Sequence, residues 1–348
     1  MKILAMVTLT GLGVAVCGCW PRGTTLPPDR ARVRLLGRWD TSGAPDRFLA
    51  VNPGSSLAFR YEGTTCVLHV DRSANKPPLP QLWVQLDGTW AKHVVDSDTI
   101  VVGEDAAAGP HEVWVVLKSA DEHQSRWREP LVASFTLTGI EAPGGTFLLP
   151  PPRKPRILEA IGDSITEGIL VDGKGKDWPD KADSRATYAF LTAMALDCEP
   201  RIIGFGAQGV TRGGNGGVPP AGLAYPFVHN GVAAADDPAD IVVINHGAND
   251  GGVPNIENVY RRLIALARQR NPQAEIFCVG PFPQVHGRSV RYAVAGARAD
   301  GDTHVYFVST EGWLDRKADT TEGVHPNAQG HAKAAKKLTA VIRETMGL

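Results

Sequence analysis

The chain carries almost no net charge. Its 36 Lys and Arg nearly balance 37 Asp and Glu, leaving −1. That excludes the basic stripe of a nucleic-acid binder and a polybasic membrane surface. Cysteine is also scarce, at five residues, of which Cys17 and Cys19 fall in the first twenty. The other three, Cys66, Cys198 and Cys278, form no CxxC pair and have no His at metal-ligand spacing. Neither a disulfide framework nor a zinc site is expected; buried thiols are, with one Cys198–Cys278 bridge left open. There is no internal repeat, and no low-complexity tract beyond one proline run. What is plentiful is Gly (38) and Pro (26), which suits many turns. At roughly 150 residues per domain, 348 residues suggest two domains.

The first nineteen residues read as a targeting segment. Lys2 supplies a positive start, and 3–16 is largely apolar but too short to span a bilayer of about 30 Å comfortably. Val16-Cys17-Gly18-Cys19 resembles a bacterial lipoprotein box in which Cys19 would be lipidated; an ordinary cleaved signal peptide is the alternative. Either implies export, to the cell envelope or beyond. Residues 20–31 are polar and Pro-containing, as a tether would be.

From 32 to 145 short β-rich runs (56–59, 66–70, 82–86, 99–102, 112–117 and 133–140) alternate with turn signals such as Asp87-Gly88. That spacing predicts an all-β sandwich or jelly roll. Residues 146–155, ending in Pro150-Pro151-Pro152-Arg153-Lys154-Pro155, are expected to be an extended linker. From 156 to 348 apolar runs (157–161, 201–205, 241–245, 275–279 and 305–308) alternate with helical stretches (185–196, 256–270, 289–299 and 327–345). This predicts a parallel sheet covered on both faces.

Gly162-Asp163-Ser164 follows the first of these apolar strands. In an open α/β sheet, ligands bind outside the carboxyl ends of the strands, so Ser164 can face a crevice. Taken alone, the tripeptide is equally a helix cap. Asn245-His246-Gly247-Ala248-Asn249-Asp250 follows another strand, and the Asn249 amide is a neutral donor suited to an oxyanion. Glu322-Gly323-Val324-His325-Pro326 precedes the last helix, where His325 can serve as a base.

In this order the blocks resemble those of the SGNH (GDSL-like) hydrolases, over 156 to the C-terminus. The resemblance implies a flavodoxin-like three-layer α/β domain behind the all-β sandwich. It also implies Ser164 as nucleophile and His325 as base. The oxyanion hole would be Ser164 N–H, a glycine N–H and Asn249. Gly209 is the expected glycine and Gly206 the competing one. The family usually has Asp three residues before the His; here that residue is Glu322. It would complete a triad, or a Ser–His dyad would operate; Asp319 is a further candidate. Export and an N-terminal sandwich make the whole chain resemble carbohydrate esterase family 2, which deacetylates plant cell-wall polysaccharides.

The resemblance implies a serine esterase for acetylated carbohydrate that needs no metal or organic cofactor. A carbohydrate-binding lipoprotein with a degenerate hydrolase domain and a lipid ester or thioester hydrolase are the alternatives. No nucleic-acid partner is expected, and the only membrane link would be a lipid anchor. Trp178 and Trp313 are candidates for stacking on a sugar. His246 reads as structural, and the 213–217 glycine run as a loop rather than a phosphate cradle.

Overall fold

The computed structural model describes residues 31–348 except 45, 105, 176 and 177, and of Trp178 it describes the backbone alone. The targeting segment, including Cys19, lies outside the described residues. The N-terminal part holds ten strands: β1 (Val33–Leu36), β2 (Phe48–Ala50), β3 (Ser56–Gly63), β4 (Cys66–Val70), β5 (Gln81–Leu86), β6 (Thr89–Val94), β7 (Thr99–Val102), β8 (Gly109–Ser119), β9 (Phe135–Glu141) and β10 (Thr146–Phe147). They form two antiparallel sheets, ordered β1-β3-β8-β5-β6 and β2-β9-β4-β7. β10, within the stretch expected to be linker, pairs with β3. The β5–β6 turn is Asp87-Gly88, at φ 48° and 89°, the left-handed pair that a two-residue hairpin requires. Between the sheets lies a core that includes Phe48, Leu57, Phe59, Leu68, Val115 and Phe135.

From Arg156 the chain alternates. β11 (Arg156–Gly162) leads into α1 (Ser164–Glu167), α2 (Trp178–Lys181) and α3 (Tyr188–Ala195). β12 (Cys198–Gly204) is followed by α4 (Ala221–Ala224) and a small hairpin of β13 (Phe227–His229) and β14 (Val232–Ala233). β15 (Ile241–Asn245), α5 (Glu257–Arg270), β16 (Glu275–Val279), α6 (Gly287–Ala299) and β17 (Val305–Val308) come next. A second small hairpin of β18 (Thr320–Thr321) and β19 (His325–Pro326) precedes α7 (Ala328–Met346). The parallel sheet is ordered β12-β11-β15-β16-β17. Because both faces are covered, β12 and β15 are buried throughout; β15 is an apolar run up to Asn245, whereas β12 buries Glu199 and Arg201 as well. α3 and α7 pack one face; α5 and α6 pack the other. α5 shows why: Tyr260, Leu263, Ile264 and Ala267 form its buried stripe.

Renumbered within the sheet, the strand order is 2-1-3-4-5. Chain direction switches between β11 and β15, and the crevice at such a switch point is where ligands bind.

Cys66, Cys198 and Cys278 are all free and buried, so the open Cys198–Cys278 bridge does not form. Cys198 lies on β12 and Cys278 on β16, three strands apart, or roughly 14 Å at the usual strand spacing.

The two parts share core. Leu49, Val51, Trp127 and Leu131 of the β part join the α5/α6 side of the sheet. Buried charge also crosses: Arg38 Nη2 lies 3.3 Å from Glu159 Oε2, and Arg126 Nη2 lies 2.7 Å from Glu167 Oε1.

Candidate active site

β11 delivers Ser164 to the switch point. A Cβ on Gly162 would collide with the Thr166 side chain, so only glycine lets the chain turn this tightly. Asp163 caps α1: its Oδ1 accepts from Ile165 N–H at 3.0 Å. Ser164 is the first residue of α1, so its N–H has no acceptor within the helix.

His325 Nε2 lies 3.0 Å from Ser164 Oγ. Its ring is held by the turn that joins β18 to β19. Thr321 pairs with His325 across that turn, and Thr321 Oγ1 donates to Leu170 O at 3.0 Å. Asn327 then caps α7, accepting from Gly330 N–H at 2.9 Å. Burial holds the His325 pKa below 6.5, although the Glu322 charge opposes this. A neutral imidazole facing a serine hydroxyl is poised to accept its proton.

Glu322 does not complete a triad in this geometry. It sits at the hairpin tip at φ 58°, followed by Gly323 at φ 77°. This left-handed turn sends its carboxylate to solvent, and no hydrogen bond joins it to His325 among the described residues. Asp319 is engaged elsewhere: it accepts from Asp315 N–H at 2.8 Å and from Lys333 Nζ at 2.6 Å. Among the described residues, the arrangement is therefore a Ser–His dyad.

Across the switch point, Asn249 Nδ2 donates to Asp163 Oδ2 at 3.0 Å and to Gln208 O at 3.1 Å. Its amide is therefore fixed beside the nucleophile, with both hydrogens already directed at acceptors. Asp250 ties the neighbouring turn down, accepting from Val210 N–H at 3.0 Å and Thr211 N–H at 2.8 Å. Both candidate glycines are sterically required. A Cβ on Gly209 would meet the Asp250 carboxylate, and one on Gly206 would strike that of Glu122. Their N–H groups are engaged, however. Gly209 donates to Arg212 O at 3.1 Å, and Gly206 N–H faces the Glu167 carboxylate. Of the expected oxyanion donors, Ser164 N–H is the one left without a partner among the described residues.

Burial dominates the local electrostatics. It pushes Asp163 up to about 7, and Glu167 to about 7 despite the opposing Arg126 charge. His246 is fully buried behind the same turn, its pKa lowered to about 4. Trp313 is partly buried in an apolar cluster, its ring 6.4 Å from that of Phe282. Trp178 opens α2, and its side chain lies outside what is described. Within the 213–217 run, Gly216 packs against Gln124 O of the β part, where a Cβ would not fit.

Four residues escaped the sequence reading. His331 is buried in α7, its Nδ1 accepting from Tyr188 N–H at 3.0 Å. Tyr188 OH in turn meets Thr166 Oγ1 at 2.9 Å, tying α7 and α3 to the nucleophile helix. A His on the same helical face as Ala334, Ala335 and Leu338 was the available signal. Glu122, Arg126 and Glu167 form a buried charged group beneath α1. The run of charges within 121–129 hinted at it, but only tertiary contact shows which of them are buried.

Comparison with known proteins agrees with this frame. Residues 160–333 match the model of the GDSL-like Lipase/Acylhydrolase family. The chain is similar to the cellulase/esterase CelE of Acetivibrio thermocellus, at 28% identity over 344 residues, covering 92% of this chain and 40% of that protein. It thus spans less than half of that relative's length. It is also similar to an acetylxylan esterase / glucomannan deacetylase of Cellvibrio japonicus, at 24% identity, covering 85% of this chain and 87% of that protein. Among solved structures, a family two carbohydrate esterase from Clostridium thermocellum in complex with cellohexaose superposes with TM-score 0.77 at 25% identity, covering 90% of this chain and 99% of the other. A family two carbohydrate esterase from Cellvibrio japonicus superposes with TM-score 0.78 at 21% identity, covering 93% and 99%, a likeness of fold.

Proposed function

The chain belongs to the GDSL-like lipase/acylhydrolase family, and on that premise we propose that it is a serine esterase removing acetyl groups from a carbohydrate, with a cell-wall polysaccharide as substrate. The observation that carries the reading is the 3.0 Å contact between Ser164 Oγ and His325 Nε2 at the switch point of the parallel sheet.

The chemistry follows from that contact. His325 Nε2 takes the Ser164 hydroxyl proton as Oγ attacks the acetyl carbonyl carbon. Negative charge develops on the carbonyl oxygen, near Ser164 N–H, and near the Asn249 amide once it turns one hydrogen away from Asp163 or Gln208. One such donor is worth roughly 100- to 1,000-fold in turnover. Gly209 can join them if its N–H leaves Arg212 O. The sugar hydroxyl departs with the proton from His325. Water, deprotonated by His325, then attacks the acetyl-enzyme, and acetate leaves as Ser164 regains its proton.

The carbohydrate assignment is supported by the relatives named above, an acetylxylan esterase / glucomannan deacetylase and an esterase solved with cellohexaose. Export, with Cys19 as the lipidated residue, belongs to the same reading and rests on the first nineteen residues. The test is acetate release from acetylated xylan and glucomannan, beside 4-nitrophenyl acetate hydrolysis. Release that disappears in Ser164→Ala supports the reading. Glycan binding without acetate release would overturn it, and activity peaking on long-chain nitrophenyl esters would replace the sugar ester with a lipid ester.

A further inference from the structure

The nucleophile helix and the 205–209 turn are braced from outside their own sheet. The brace is residues 120–134, the connection between β8 and β9. A structureless connection of this length is uncommon in a compact fold and is usually functional. Its Arg126 is fully buried, with Nη2 2.7 Å from Glu167 Oε1 at the end of α1. Nη1 donates to Val51 O at 3.2 Å, anchoring the guanidinium to the β part. The guanidinium also lies over the Phe205 ring, 5.4 Å from its centroid, and Trp127 meets the same ring edge-on at 6.0 Å. Glu122 is buried too. Its carboxylate fills the space over Gly206 and faces Asn215, whose N–H holds Gly206 O at 2.8 Å.

One guanidinium and two carboxylates buried at an interface are a poor source of stability. Apolar residues of similar volume usually do as well or better there, so such groups are better explained by the geometry they impose. The geometry they impose here is the placement of α1, which carries Ser164, against the turn that carries Gly206 and Gln208, the latter an acceptor for Asn249. We propose that Arg126 and Glu122 are positioning residues of the esterase, so that the β part is a component of the active site rather than an appended module. The inference rests on the esterase reading above.

Arg38 supplies the control. It is the same residue type in the same kind of buried interface pair, but with Glu159 in mid-β11. The experiment compares kcat and KM for 4-nitrophenyl acetate, with the unfolding midpoint, in Arg126→Met, Arg126→Lys and Arg38→Met. Arg126→Met is expected to lose roughly 10- to 100-fold in kcat with KM little changed, the size of effect that a small misplacement of reacting groups produces. Arg126→Lys recovers part of it. Arg38→Met lowers the midpoint but keeps kcat. Should Arg126→Met fail to fold, Arg126→Met with Glu167→Gln also removes the carboxylate that Arg126 pairs with and is expected to show the same kcat loss. Glu122→Ala is expected to act in the same direction, with Glu122→Gln, which keeps the shape, restoring activity. Unchanged kcat in the Arg126 and Glu122 variants, or an equal kcat loss in Arg38→Met, overturns the inference while the enzyme stands. A wild-type protein that hydrolyses no ester sinks the functional reading, and this inference with it.

Discussion

Two buried carboxyl groups, Glu159 in mid-β11 and Glu167 at the end of α1, lie under one interface and behave oppositely. Glu159 accepts from three donors: Arg38 Nη2 at 3.3 Å, Arg201 Nη1 at 3.4 Å and Tyr225 OH at 2.5 Å. Burial alone would raise its pKa, but the two guanidiniums outweigh that and hold it below the usual carboxylate value. Glu167 has one guanidinium, and burial pushes it up to about 7. Asp163, between them in sequence, also rises to about 7, even with Asn249 and Ile165 donating to it. Of these buried carboxylates, the one on which two guanidiniums converge keeps a low pKa, and those with one or none rise. The middle of the strand meets that condition; the end that carries the nucleophile does not.

The largest expected difference between the two regions is in turnover. Ser164→Ala and His325→Ala should each lower kcat for 4-nitrophenyl acetate by roughly 10,000- to 1,000,000-fold, because the pair acts as a unit. Glu159→Gln should leave kcat of the folded enzyme close to wild type. It should instead cost about 3–5 kcal/mol of stability, read by denaturant unfolding, because the buried Arg38 guanidinium loses its counter-charge while Arg201 keeps Asp237. A Glu159→Gln variant as stable as wild type would break the comparison.

The pH dependence of stability sharpens it. Asp163 has a folded pKa near 7 against 3.8 unfolded. Its unfolded form releases the proton first, so stability falls as pH rises from about 4 to 7 and is level above that. The loss is on the order of a few kcal/mol, with Glu167 adding to it in the same window. Glu159 has the opposite sign: its contribution is present above its unfolded value of about 4.5 and is lost as pH falls below that. Asp163→Asn should therefore flatten the decline between pH 4 and 7 in thermal unfolding and leave the acid limb unchanged.

The smallest effect is expected at Glu322. A triad carboxylate is worth about 10,000-fold in kcat. Glu322→Gln should cost a few-fold at most, since the side chain is exposed and unbonded to His325. Burial already lowers the His325 pKa, so kcat/KM should rise with pH through a midpoint below 6.5. Glu322 raises that pKa, so its removal should move the rising limb further toward acid.

The parallel sheet was legible because strands buried on both faces read as unbroken apolar runs. The observed β15, β16 and β17 have the bounds that the sequence suggested. In the sandwich, β6 (Thr89–Val94) was not, because it is largely exposed and has no apolar alternation. The order of the Ser164, Asn249 and His325 blocks was enough to bring those residues to one crevice. The three-residue spacing before His325 pointed to Glu322, but the positive φ at Glu322 and Gly323 turns its carboxylate outward. Backbone hand at a hairpin tip is not written in a spacing. Glu122 and Arg126 were illegible for another reason: they come from a loop of the other part, and only packing decides which of its charges go inside.

The most direct test of the Ser164–His325 account is mass mapping of the protein quenched during turnover of 4-nitrophenyl acetate. The account requires an acetyl group on the Ser164 peptide of the wild-type enzyme and none in Ser164→Ala. Steady acetate production with Ser164 never acetylated, or undiminished in Ser164→Ala, would contradict it.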